Sequence, residues 1–174
     1  MNADTLAPIA AVVYKPTDHV EPLLLRVAIA LRNRGLRVGG VLQHDMATIA
    51  EDPCAMELED LHSGEKFALS QELGSGSEAC RLDPASLAHA AVAIRRALDD
   101  GVDVMMFNKF GAQEAGGAGL RDEMGLAVVS GVPMLTAVGE RFVDEWETFT
   151  GGVATVLPPD DASILAWCDL TLGT

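Results

Sequence analysis

The stretch Val102-Asp-Val-Met-Met-Phe107, which continues as Asn108-Lys-Phe-Gly111, decides the fold. Its first six residues are apolar except for Asp103, and the run stops abruptly at an amide and a lysine. Short runs of this kind are typical of strands that are buried on both faces of a sheet. The segment Ile9-Ala-Ala-Val-Val-Tyr14 has the same character and predicts a second buried strand near the start of the chain.

Helical patterns separate further strand patterns along the chain. Apolar residues at helical spacing predict a helix over 23–34 that ends at Gly35. Asp83-Pro84 is a typical start of a second helix. The buried face of this second helix is expected to consist of Leu87, Ala91, Ile94 and Leu98. The remaining strands are predicted at 38–43, 132–138 and 153–157, and the remaining helices at 120–130, 141–150 and 160–170. This alternation predicts a three-layer α/β fold with a mainly parallel sheet.

The domain organisation follows from length and from one irregular segment. The 174 residues are expected to form a single α/β domain over 1–174. Residues 54–70 contain two short strand-like pieces around His62-Ser-Gly-Glu65, which predict an inserted β-hairpin rather than a second domain.

Composition excludes several classes of function. With 12 basic and 26 acidic residues the formal charge is −14, and a surface this acidic repels nucleic acid. No apolar run is long enough for membrane insertion, and the first residues lack a secretion signal, so a cytoplasmic protein is expected. The three cysteines and four histidines form no CxxC, HxH or HExxH pattern, so neither a metal site nor catalytic residues are predicted.

Ligands of such sheets bind beyond the carboxyl ends of the strands, where four loops are predicted, 15–22, 44–53, 71–81 and 108–119. Three of them, all but 44–53, carry candidate ligand-binding residues. The first, Lys15–Pro22, has no glycine, two prolines and two acids, yet Lys15, Thr17 and His19 can contact a ligand. The second, 70–83, offers backbone amides at its glycines and the side chains of Ser75, Ser77 and Arg81. Its alternative interpretation is structural: Asp83 caps a helix and Arg81 pairs with surface acids.

The third loop follows the strand 102–107. Asn108 and Lys109 come directly after the strand, and Gly111, Glu114 and a glycine-rich tract at 116–119 follow. We expect this loop to be mobile and to close on a ligand. The alternative is that Lys109 only pairs with Asp103, Glu114 or Asp122.

These motifs carry a family resemblance. The runs Gly35-Leu-Arg-Val-Gly-Gly-Val41, Gln71-Glu-Leu-Gly74, Cys80-Arg-Leu-Asp83 and Asn108-Lys-Phe-Gly111 with Glu114 resemble an uncharacterised bacterial domain family. Genes of that family often lie beside molybdate-uptake genes, and its members are sometimes labelled as molybdenum-transport proteins. The resemblance spans most of the chain and implies no established activity.

The layout is also distantly similar to the small P-loop nucleoside-triphosphatases. Those proteins carry a P-loop after the first strand and Asp-Glu-x-Gly-x-x-Glu after a later one. Here the P-loop is degenerate, Asn108 and Lys109 stand where the two acids would be, and Gly111 and Glu114 match. The resemblance therefore implies the fold of those enzymes without the charges that phosphoryl transfer requires. The change from two acids to Asn-Lys moves the local charge from −2 to +1, which favours an anion.

The sequence thus predicts a non-hydrolytic binding protein for a small oxyanion, linked to molybdate or tungstate handling. The predicted ligand-binding residues are Arg81, Lys109, Asn108, Ser75, Ser77, Gly111, Glu114 and Lys15. Two alternatives stay open: a nucleotide-binding hydrolase or transferase with a non-standard phosphate loop that uses Lys15, and a regulatory or structural subunit. The expected partners are a small anionic ligand and either a second copy of the chain or a protein of the molybdenum pathway.

Overall fold

The computed structural model describes residues 7–45, 56–69 and 84–173. The strands are β1 (Ile9–Tyr14), β2 (Val38–Asp45), β3 (Met56–Asp60), β4 (Lys66–Leu69), β5 (Val104–Phe107), β6 (Met134–Gly139) and β7 (Thr155–Leu157). The helices are α1 (Val20–Asn33), α2 (Pro84–Asp100), α3 (Ala112–Ala115), α4 (Arg121–Val129), α5 (Val143–Thr150) and α6 (Asp161–Leu172). Two single 3₁₀ turns, Pro16–Asp18 and Glu140–Phe142, follow β1 and β6.

All seven strands belong to one sheet in the order β4-β3-β2-β5-β6-β1-β7. β2, β5, β6, β1 and β7 run parallel, whereas β3 and β4 form an antiparallel hairpin that extends the sheet beyond β2. The helices cover both faces. The prediction of a three-layer, mainly parallel α/β fold with an inserted hairpin is confirmed, and the topology is compatible with a P-loop-NTPase-like fold.

The two faces of the sheet have separate cores. On one face, the apolar side chains of α2, α4 and α5 pack against β5 and β6, with Phe107, Phe110, Met124 and Trp146 fully buried. On the other face, α1 and α6 cover β1 and β2. Ion pairs between Arg26 and Asp161 and between Arg34 and Asp169 join α1 to α6.

Close packing at β2 explains its pair of glycines. Gly40 has a φ of +106°, and a Cβ there would lie 1.8 Å from the carbonyl oxygen of Met106 on β5. A Cβ on Gly39 would lie 3.0 Å from the Cβ of Ala97 on α2. Only glycine therefore fits position 40, and the glycine at 39 lets α2 approach the sheet closely.

The inner stripe of α2 differs from the predicted one. Ser86, Ala90, Ala93, Ile94 and Ala97 are buried, whereas the predicted residues other than Ile94 are only half-buried. The prediction placed the largest side chains against the sheet, but the small alanines face it, because β2 and α2 lie too close together for leucine. The predicted cap of this helix, Asp83, lies outside the described residues.

Candidate functional site

The first loop of interest follows β1 and is a single tight turn. The backbone amide of Lys15 donates to Asp18 Oδ2 at 2.6 Å, and the amide of Asp18 donates to the carbonyl of Lys15 at 2.9 Å. His19 then takes a left-handed conformation, with φ +48°, before α1 begins at Val20. A phosphate cradle needs several free amides that point at one anion. This turn uses two of its amides internally and leaves the exposed side chains of Lys15, Thr17 and His19 as its polar groups.

The end of β5 is tied to β2 by an amide pair. Asn108 Nδ2 donates to Gln43 Oε1 at 2.9 Å, and the backbone amide of Gln43 donates to Asn108 Oδ1 at 3.2 Å. Both polar ends of the Asn108 side chain are therefore engaged. This residue fixes the strand end from which the next residue, Lys109, projects.

Lys109 is exposed directly beyond that fixed strand end. Its alkyl chain lies over Gly111, where an added Cβ would be 3.4 Å from Lys109 Cε. Within the described ranges, no carboxylate lies within 4.0 Å of its amine. Asp103 instead accepts from the backbone amide and the guanidinium of Arg37. The alternative in which Lys109 pairs with Asp103, Glu114 or Asp122 is therefore not what the structure shows.

The Arg37 amide also affects the titration of Asp103. Its hydrogen bond at 2.7 Å, more than the nearby guanidinium, lowers the pKa of the Asp103 carboxyl. This acid lies at the opposite, amino edge of the sheet and plays no part in the site.

Glu114 holds the loop after Lys109 in place. Its carboxylate is buried and accepts from the backbone amide of Gly111 through Oε1, at 2.9 Å, and from that of Leu120 through Oε2, at 3.0 Å. Gly119 has a φ of +61°, and a Cβ there would lie 1.7 Å from Glu114 Oε2. The loop that we expect to be mobile thus contains one turn of helix, α3. Both carboxylate oxygens of Glu114 accept hydrogen bonds from backbone amides that flank this turn.

The turn after β6 adds a cation that sequence reasoning missed. The register pairs Tyr14 with Gly139, so the ends of β1 and β6 lie side by side. Glu140 Oε1 is 4.0 Å from Lys15 Nζ, and the guanidinium of Arg141 lies 4.8 Å from the ring centre of Phe142. The prediction placed Arg141 inside a helix that starts at residue 141. The helix proper starts at Val143, which leaves Arg141 in the turn at the strand end.

Tyr14, the last residue of β1, lies at the same edge of the sheet. Burial, together with the negative charge of Glu21, raises the pKa of its phenol, and the positive charge of Arg141 opposes that shift. The phenol is therefore neutral at physiological pH and is able to donate a hydrogen bond.

The strand order places these residues at the same edge of the sheet. β6 lies between β5 and β1, so the three strand ends that carry Lys109, Arg141 and Lys15 are adjacent. Two strand spacings across the sheet, about 10 Å, separate Lys109 from Lys15. Lys15 also lies further along the strand direction, because it follows the Tyr14–Gly139 pair whereas Lys109 precedes the Phe110–Val138 bridge. The other predicted ligand-binding side chains, Ser75, Ser77 and Arg81, lie outside the described residues.

The remaining surface offers weaker candidates. A shallow groove between α2 and α4, with a volume of about 250 Å³, is lined by Arg95, Leu98, Asp99, Leu126 and Ser130. The Arg95 guanidinium lies 3.7 Å from the carboxylate of Glu123, so its charge is compensated. In the part of the chain that the structure describes, no group of three or more metal-ligating side chains gathers. Nor is any helix in residues 7–45, 56–69 and 84–173 long and apolar enough to cross a membrane.

The fold defines a class, a three-layer α/β domain compatible with a P-loop-NTPase-like fold, and the loop after β1 lacks the GxxxxGK[ST] pattern. The chain belongs to the family described as "Protein of unknown function (DUF2478)", whose model matches residues 9–167.

A curated relative extends this comparison. Over 159 residues the chain is 42% identical to a protein of Bradyrhizobium diazoefficiens named "Molybdenum import ATP-binding protein ModC 2". The alignment covers 91% of this chain but 18% of that protein. The chain thus spans less than a fifth of the relative's length.

Proposed function

We propose that this chain is a non-hydrolytic domain that binds a small tetrahedral oxyanion at the carboxyl edge of its sheet and serves molybdate or tungstate handling. The observation that carries the proposal is Lys109. It is an exposed ammonium without a carboxylate within 4.0 Å in the described residues, and it sits on a strand end that Asn108 holds rigid.

Charge makes this placement informative. A chain of net charge −14 repels anions at long range, so a specific anion site must be locally positive. Lys109, Arg141 and Lys15 supply three cations at adjacent strand ends, and of these Lys15 forms an exposed ion pair with Glu140. We expect Arg81, Ser75 and Ser77 to complete the site from the loop before α2.

The first loop argues against phosphoryl transfer. Its Lys15 and Asp18 amides bond within the turn, and Asn108 occupies the strand end where a Mg²⁺-binding carboxylate would be required. A domain with this layout is suited to bind an anion and lacks the means to activate water against a phosphate ester. We therefore expect a role in sensing or retaining the anion.

The name of the curated relative points to the class of ligand. It refers to molybdenum import, and molybdate is a tetrahedral dianion that matches a locally positive edge. The relative is a much longer protein, so its ATP binding supports only the second candidate function.

Calorimetric titration tests the proposal. Molybdate, tungstate, sulfate and phosphate are titrated into the wild type, Lys109→Gln and Lys66→Gln. Lys66 is an exposed lysine at the start of β4, the outermost strand, which lies three strand positions away from β5, so the two variants lose the same charge at different places. One charge-assisted hydrogen bond contributes roughly 1.5–3 kcal/mol. We therefore expect Lys109→Gln to weaken binding about tenfold or more.

The control separates local from general charge effects. Lys66→Gln is expected to bind like the wild type. Equal losses in the two variants, or no binding to the wild type at millimolar anion, contradict the proposal. Arg81→Lys added to the series distinguishes bidentate recognition, which this change removes, from attraction by charge alone.

A nucleotide is the second candidate, because the relative's name includes ATP binding. The same titration with ATP and Mg²⁺, followed by measurement of phosphate release, decides between the two. The oxyanion proposal predicts no turnover. A rate near ~1 s⁻¹, at the low end of ordinary enzymes, would establish the hydrolase instead.

A further inference from the structure

Among the described residues, the carboxylate of Glu140 is the one that lies within 4.0 Å of a side-chain cation of the proposed site. It follows β6 directly, and its Oε1 lies 4.0 Å from Lys15 Nζ. Both side chains are more than half exposed. Neither is locked in position by burial, so either can move away from the other when a competing ion arrives.

A carboxylate and a tetrahedral oxyanion present the same chemistry to an ammonium group. Each offers negatively charged oxygens that accept hydrogen bonds from Lys15. The backbone amides of Lys15 and Asp18 do not bind an anion in place of the Lys15 ammonium, because both bond within the turn. Lys15 thus has one intramolecular partner in the described residues, and that partner resembles the expected ligand.

We propose that Glu140 is a specificity-determining residue that occupies Lys15 in the empty site and is displaced when the oxyanion binds. This inference rests on the proposed function. An anion binds only if it attracts the Lys15 ammonium more strongly than the Glu140 carboxylate does, and this sets a minimum for the anion's attraction to Lys15. A dianion such as molybdate meets that threshold more easily than a monoanion.

The pair is weak, which fixes the size of the expected effect. Exposed ion pairs contribute little in water, and a single carboxylate several ångströms from a bound anion repels it modestly at low salt. Glu140→Gln removes both the competitor and the repulsion and keeps the size of the side chain. We expect it to raise the affinity for molybdate about threefold or more.

The experiment is a double-mutant cycle read by titration of molybdate at low ionic strength. Glu140→Gln is made in the wild type and in Lys15→Gln, with Asp99→Asn as the control. Asp99 is an exposed acid at the far end of α2, on the opposite edge of the sheet, so its loss changes the net charge equally. Charges at that separation are screened.

The outcomes separate this inference from the proposed function. We expect Glu140→Gln to raise the affinity for molybdate in the wild type. If that increase falls to the size of the Asp99→Asn effect in the Lys15→Gln background, the result supports displacement. Binding to the wild type with no gain in Glu140→Gln, or a gain that is the same with and without Lys15, overturns the inference and leaves the oxyanion site standing. Absence of binding in every variant overturns both.

Discussion

Replacing Glu114 by alanine probes the support beneath the proposed site. The carboxylate is buried and accepts from the amides of Gly111 and Leu120, which both lie in buried positions. Without it, these two donors lose their acceptor at once. An unsatisfied buried donor costs roughly 1–3 kcal/mol. We therefore expect Glu114→Ala to lower the free energy of unfolding by about 3 kcal/mol, with some of the loss relieved by water.

Denaturant unfolding measures this loss, because the midpoint and slope together give the free energy of unfolding. Glu147→Ala is the matched control: Glu147 is an exposed acid of α5 with no ion pair in the described residues, and surface changes of this kind stay within about 0.5 kcal/mol. Glu114→Gln keeps the shape and one acceptor, so it should fall between the two. If Glu114→Ala matched Glu147→Ala, the argument that the buried carboxylate holds α3 and its flanking loop would be refuted.

Three further predictions concern other parts of the fold. Gly40→Ala should cost more than about 3 kcal/mol or prevent soluble expression, because its Cβ would meet the Met106 carbonyl at 1.8 Å; a melting curve equal to the wild type's would contradict this. Because the folded-state pKa of Asp103 is lowered, its stabilisation is present above the unfolded value of about 3.9 and is lost as the pH falls through the folded value, so Asp103→Asn should flatten the fall in stability below about pH 4, which acid titration of both proteins will reveal. Burial raises the pKa of Cys168 to about 11, so peptide mass spectrometry at pH 8 should find this thiol unlabelled by iodoacetamide in the native state; rapid labelling would show that α6 opens.

The sequence was sufficient for the layers of the fold and for the position of Lys109 at a strand end. Apolar runs such as 9–14 and 102–107 have the signature of doubly buried strands, and Lys109 was found because a lysine directly after such a strand lies at the carboxyl edge. The strand order was not predicted, because it depends on pairing between distant segments. That order is what brings the ends of β5, β6 and β1 together.

The errors have physical causes of the same kind. Arg141 was assigned to a helix, because residues 141–150 have helical character and the 3₁₀ turn before α5 has no distinct sequence signal. The burial of Glu114 was not predicted, because it depends on two backbone amides, those of Gly111 and Leu120, that hold the carboxylate inside. The predicted buried face of α2 was centred on its leucines. The alanines face the sheet instead, because Gly39 and Ala97 approach each other closely, and that tertiary contact could not be predicted from the sequence.

Anomalous X-ray diffraction from crystals soaked in molybdate, measured above and below the molybdenum absorption edge, tests the central claim most directly. The signal locates molybdenum itself and distinguishes it from sulfate or water. The account predicts one peak at the carboxyl edge of the sheet, beyond the ends of β5, β6 and β1, with the amine of Lys109 within hydrogen-bond distance of the bound oxygens. A peak elsewhere on the chain, or no peak in crystals that hold molybdate in the mother liquor, would contradict it.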